Sequence, residues 1–254
     1  MTAITTSRAG RIRFARTGRA LRAFWAIANL GMSLVVARAV NGLIADRIAQ
    51  GVYDPTRDFM YFTIQVSIAS FAIFLIGAYV GLFRAVDPHW YTVLRASLVP
   101  WALVTAAVYN VLLRQTPMGG TLWEMMNRPN DLVHLWIPLF IAAEWLLTPG
   151  RSRLSFRVLA LATTYPWAYI IVCMVRGQVD GWYPYPYLEP NGPLGWTGPI
   201  EFMLACTLFI VIVSVTTVVI SRVIRHIIPL HETVGVEPPT TTQVLPIVRT
   251  IRTD

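Results

Sequence analysis

Six apolar runs constrain this chain more than any other feature. They lie at about Leu21–Val40, Phe59–Leu82, Tyr91–Leu113, Asp131–Leu147, Val158–Val175 and Ile200–Val223. In hydrocarbon a backbone must satisfy its own N–H and C=O groups, and an α-helix does so within one run. About twenty residues at ~1.5 Å each cross the ~30 Å apolar core of a bilayer. The expected fold is all-α: a polytopic membrane helix bundle of six transmembrane helices. Composition agrees, with 55% hydrophobic and only 13% charged residues, where soluble domains are nearer ~25% charged. Pro100, Pro138 and Pro166 interrupt three of the runs and should kink them or be accommodated by neighbours.

The charges set an expected orientation. The net charge of +8 comes entirely from arginine, since the chain has no lysine. The arginines fall in short clusters between apolar runs, which fits membrane topology and argues against a nucleic-acid partner. Residues 1–20, with Arg8, Arg11, Arg13, Arg16 and Arg19 and no acid, read as a basic, mobile tail on an anionic cytoplasmic leaflet. Basic excess recurs after the second run (Arg84 and Arg95 against Asp87), after the fourth (Arg151, Arg153, Arg157) and after the sixth (Arg222, Arg225). The other loops are balanced. This alternation expects six spans over 21–225 with both termini cytoplasmic, as an integral protein of a bacterial plasma membrane. Residues 226–254, rich in Thr and Pro, read as a disordered cytoplasmic tail. Ala37-Arg38-Ala39 resembles a signal-peptide cleavage site, but the charge alternation needs the first run retained.

With that orientation, the polar residues of apolar spans gather near the outer boundary. The second and fourth runs point the same way, placing Thr63 and His134 at similar depth. Arg38, Asn110 and Arg176 approach the same layer from oppositely directed spans, joined by Gln65, Asp131 and Asp180. A hydroxyl and an imidazole at one depth can form a nucleophile–base pair, and equally an interhelical hydrogen bond with no chemistry. Glu144 lies about 15 Å deeper along the fourth run than His134 at ~1.5 Å per residue. It is either a buried functional carboxylate or one that reaches the headgroups. Beyond the fifth run, Trp182-Tyr-Pro-Tyr-Pro-Tyr-Leu-Glu189 reads as an interfacial aromatic belt or a folded lid.

Other chemistries lack their residues. A haem between helices needs two axial ligands, and only His134 lies inside a span. Cys173 and Cys206 have no metal-ligand spacing, and no Cys/His/carboxylate cluster suggests a metal site. There is no phosphate-binding glycine motif, no serine-protease motif and no repeat between the two halves. No cofactor is expected.

The threonine early in the second run and Asn130-Asp-Leu-Val-His134 opening the fourth carry a family pattern. Pro138, Glu144-Trp145 and the Trp182–Glu189 stretch extend it. Over about Leu21–Arg225 the chain resembles the androgen-inducible membrane proteins and their bacterial six-span relatives. The animal members are intramembrane threonine hydrolases of fatty-acid esters of hydroxy fatty acids. The resemblance implies Thr63 as nucleophile and His134 as its catalytic histidine, acting on a membrane lipid or fatty-acid ester. Arg38, Gln65, Asn110 and Glu144 are candidate supporting residues. Trp182, Tyr183, Tyr185, Tyr187 and Glu189 are candidate lid or substrate-lining residues. Pro138 stands one position nearer the histidine than in the animal proteins. Two other expectations stay open: a non-catalytic lipid-binding or transport protein using the same polar layer, and a structural membrane protein whose partners read its tails.

Overall fold

A computed structural model of the protein describes residues 8–114 and 121–227, with side chains placed for 18–114 and 121–224. Among the described residues all regular structure is helical. The main helices are α1 (Arg8–Ala49), α2 (Phe62–Phe83), α3 (His89–Val108), α4 (Ile137–Leu147), α5 (Val158–Asp180) and α6 (Thr197–Ile227). α3 continues into a π turn, Tyr109–Leu113, and α4 is preceded by a helical turn Pro129–Asp131 and a π turn Leu132–Trp136. Five stretches are long and apolar enough to cross a membrane: those of α1, α2, α3 with its π turn, α5 and α6. These fit an integral multi-pass membrane protein.

Two expectations change here. From Arg8 onward the basic N-terminal stretch is not a loose tail but part of α1, with no proline to stop it. The expected disordered tail at 228–254 lies outside the described residues. The fourth apolar run is not one α-helix, because proline breaks its hydrogen-bond ladder. Pro138 has no N–H to give the carbonyl four residues back, which belongs to His134. The chain widens into a π turn, with Ile137 N–H bonding to Leu132 O five residues back. Helical backbone nevertheless runs without a gap from Pro129 to Leu147.

α3 is the centre of the bundle, touching α2, α4, α5 and α6, while α1 packs along α2 and the start of the fourth run. The α1–α2 seam is close because Gly81 presents no side chain to Ala26, the small-residue contact that membrane helices favour. One core runs through the bundle, with Val36, Phe74, Leu98, Ile137, Trp145 and Val218 all buried. Apolar residues on the outer faces, such as Phe24, Leu34, Ile171, Leu204 and Leu208, are exposed, as expected of surfaces solvated by lipid tails.

Near one end of the bundle lies a buried charge network. Arg95 of α3 donates to Asp87 at 2.6 Å and to both oxygens of Glu144 at 2.5 and 3.3 Å. Arg22 of α1 donates to the other Asp87 oxygen at 2.9 Å, and Asn29 donates to Glu144 at 3.4 Å. Arg22, Asp87, Arg95 and Glu144 are each at most 6% exposed. Buried charge at this density persists only when paired and hydrogen-bonded. Arg95, counted above toward the basic excess, is thus engaged with Arg22 by carboxylates inside the bundle.

Candidate active site

The break at Pro138 builds the site. The His134 carbonyl, left without its helical donor, accepts instead from Asn110 Nδ2 at 2.9 Å, while Asn110 also donates to Ala106 O at 2.8 Å. One turn back along the same helix, the Asn130 carbonyl sits 2.9 Å from His134 Nδ1. A carbonyl can only accept, so in the neutral ring Nδ1 carries the hydrogen and Nε2 presents its lone pair. That Nε2 lies 3.1 Å from the hydroxyl oxygen of Thr63, the second residue of α2. The Tyr109 ring stacks on the imidazole, centroids 3.7 Å apart and planes within 12°. His134 is therefore fixed from its backbone, its Nδ1 edge and one face, with Nε2 aimed at Thr63.

A further layer holds these supports. Arg114 Nε donates to Asn110 Oδ1 at 2.9 Å, and Arg114 pairs with buried Asp131 at 2.6 Å. Arg114 also lies over the Tyr109 ring, 5.1 Å from its centroid. The chain Asp131–Arg114–Asn110 ties the two π turns together beneath the histidine. π turns recur at functional sites, where they re-aim side chains that a regular helix would hold elsewhere.

Thr63 stands where α2 begins. The Ile64 and Gln65 amides both bond to Tyr61 O, at 3.0 and 3.2 Å. Tyr61 offers no side-chain cap, so the first amides of the helix, Phe62 and Thr63, have no partner within it and face a cavity from its positive end. The Tyr185 hydroxyl stands beside them. Burial pushes its phenol up to about 12, and the Thr63 hydroxyl and the Phe62 and Thr63 amides pull partly the other way. The Tyr169 hydroxyl is buried without a hydrogen-bond partner among the described residues.

Two cavities meet at this pair. One, a narrow crevice, runs between α3, α5 and α6, with walls including Val104, Pro166, Ile170, Leu188, Phe202 and Ile210. The other, of about 1260 Å³ counting its mouth, opens among the loops, with walls including Leu43, Asp46, Arg47, Gln50, Asp58 and Asn130. Thr63, Tyr109, His134 and Tyr185 border both, and Tyr169 faces the first.

The candidate residues therefore divide. Thr63, His134 and Asn110 come together, and Tyr185 joins them. Glu144 does not, being held in the Arg95 network. Arg38 is exposed and donates to Asn127 at 3.0 Å, and Gln65 bonds to Tyr165 and to Phe59 O instead. In the aromatic stretch, Trp182 lies at the surface between Arg57 and Arg176. Tyr183 covers Gly177, where a β-carbon would collide with its ring. Tyr187 donates to Leu112 O at 3.0 Å and stacks on Phe202, while Glu189 is exposed. The stretch is thus neither a uniform belt nor a uniform lid. Sequence reasoning missed Tyr109, Arg114 and Tyr169, which carry no motif, and passed over Leu188 within the Trp182–Glu189 stretch; each is placed by tertiary packing.

Among the described residues no three His, Cys, Asp or Glu side chains converge as a metal site would require, and both cysteines are free thiols. No protein-family model matches the chain, and no curated protein or solved structure matches it either.

Proposed function

We propose that the protein is an integral-membrane lipid hydrolase that cleaves fatty-acid-type esters with Thr63 as nucleophile and His134 as base. The observation that carries the reading is the 3.1 Å contact from Thr63 Oγ1 to an acceptor nitrogen of His134, at the junction of two cavities. A hydroxyl is a weak nucleophile unless a positioned base takes its proton, and every other polar edge of His134 is already occupied. Thr63 Oγ1 attacks the ester carbonyl carbon while its proton passes to Nε2. The carbonyl oxygen, now negative, is stabilised by the amides at the start of α2 and by the Tyr185 and Tyr169 hydroxyls. Collapse breaks the carbon–oxygen bond to the alcohol, which leaves with the proton from His134. Water, activated by the same nitrogen, then releases the fatty acid and restores Thr63.

In this reading the fourth run is the sixth span. Its nineteen residues of helical backbone, 129–147, reach about 28 Å at ~1.5 Å per residue, close to the ~30 Å a bilayer core needs. The arginine alternation places both termini in the cytoplasm and the Thr63–His134 pair toward the outer leaflet, where a lipid ester can enter. The test is hydrolysis of a panel of lipid esters by the purified protein, with Thr63→Ala beside it. Loss of turnover in a Thr63→Ala protein that elutes as the parent does supports the mechanism. Full activity in that variant sinks it, and a parent inactive on every ester favours the binding or transport reading.

A further inference from the structure

The two cavities differ in kind, and an ester has two unlike halves. The first cavity has no charged side chain on its walls. The second carries Asp46, Arg47 and Asp58 and opens among the loops. Resting on the hydrolase reading, we infer that the substrate is an acyl ester of a polar alcohol that is neutral or cationic. Its acyl chain lies in the dry chamber and its alcohol in the wet one.

The order of events fixes which half goes where. The acyl group stays bonded to Thr63 after the alcohol departs, and water must then reach the same carbonyl carbon. If the acyl chain filled the wet chamber, it would block that water. With the alcohol in the wet chamber, its exit clears the path by which water enters. A hydrocarbon chain gains from leaving water in proportion to its length, and a polar alcohol in the dry chamber would lose its hydrogen bonds.

The charges of the wet chamber then select the alcohol. Arg47 is already balanced: its guanidinium is paired with buried Asp58 and lies 3.4 Å from the Val52 carbonyl. Asp46 is left as the unbalanced charge of that chamber. A carboxylate on the leaving group finds no unbalanced cation there and meets Asp46. The preferred substrates are therefore acyl esters of a polyol or an amino alcohol, not the carboxylate-bearing esters that the family resemblance suggests.

The experiment uses the full chain in detergent micelles and three esters sharing one acyl group: oleoyl glycerol, oleoylcholine, and the oleoyl ester of a hydroxy fatty acid. The first two should exceed the third in kcat/KM by about threefold or more, the size of an exposed charge effect. Asp46→Arg should narrow that gap. Narrowing the dry chamber with Ile210→Phe, or with Cys206→Leu should the first fold poorly, should lower the ratio of oleoyl to butyryl glycerol turnover by about tenfold. If the carboxylate-bearing ester is cleaved best and Thr63→Ala still abolishes its cleavage, the hydrolase reading survives and the chamber assignment falls. An unchanged chain-length ratio in both dry-chamber variants also overturns the assignment. If no ester is cleaved, or Thr63→Ala cleaves as well as the parent, both fall together.

Discussion

Replacing Glu144 by Gln separates structure from chemistry in this protein. Glu144 is 5% exposed and receives three hydrogen bonds, two from Arg95 and one from Asn29. The amide keeps the shape and removes the charge. Arg95, 4% exposed, is left with Asp87 alone, and Arg22 already shares that carboxylate. Breaking a buried ion pair from one side costs about 3–5 kcal/mol, because the remaining charge stays buried without its partner. For a chain of this size a kcal/mol moves the midpoint by about 2–4 °C, so the variant should unfold roughly 6–20 °C below the parent. The assay is thermal unfolding in one detergent, followed by circular dichroism, with kcat measured well below both transitions. Turnover per folded molecule should match the parent, since Glu144 belongs to the Arg95 network and not to the Thr63–His134 site. Arg95→Met with Glu144→Met removes both charges, and the double variant should be more stable than the sum of the two single changes predicts. An unchanged midpoint with lost hydrolysis would refute the reasoning and return Glu144 to the chemistry.

Three further outcomes are expected. His134→Ala should abolish ester hydrolysis, and adding Thr63→Ala should cost little more, because a nucleophile and its base act as a unit; additive losses in single-turnover assays would argue against the pair. Tyr169→Phe should lower kcat by about 10–100-fold while leaving stability close to the parent's, since among the described residues no group lies within hydrogen-bond geometry of the buried hydroxyl. A kcat equal to the parent's would remove Tyr169 from carbonyl stabilisation. Cysteines placed between Gly181 and Pro193 should label with impermeant reagents from outside, and cysteines at 151–157 should not; the reverse pattern would invert the proposed orientation.

Much of this was legible in the sequence, and the illegible part has a physical cause. Run lengths mark six apolar stretches, and five of them are membrane-length helices, because hydrocarbon leaves a backbone few choices. Shared depth put Thr63 and His134 in one layer, and the structure brings them to 3.1 Å. The π turns were not legible, although Pro138 was the clue: sequence shows that a donor is missing at 138, not that Asn110 will replace it from another helix. The Arg95–Glu144 pair was hidden for a similar reason. Charges near span ends read as headgroup contacts until the fold shows that they face inward. The Phe62 and Thr63 amides are backbone groups, and no side chain announces them.

The two π turns also make chain length a coded quantity. Each holds a residue more than a regular turn would, and α-helical backbone rotates about 100° per residue. Deleting one residue from Leu132–Trp136 would turn the imidazole about 100° relative to α4 and swing it away from Thr63. Insertions and deletions should therefore be tolerated least at Tyr109–Leu113 and Leu132–Trp136. Variation among descendants of this sequence should show up there as substitution, with gaps confined to the connections between helices.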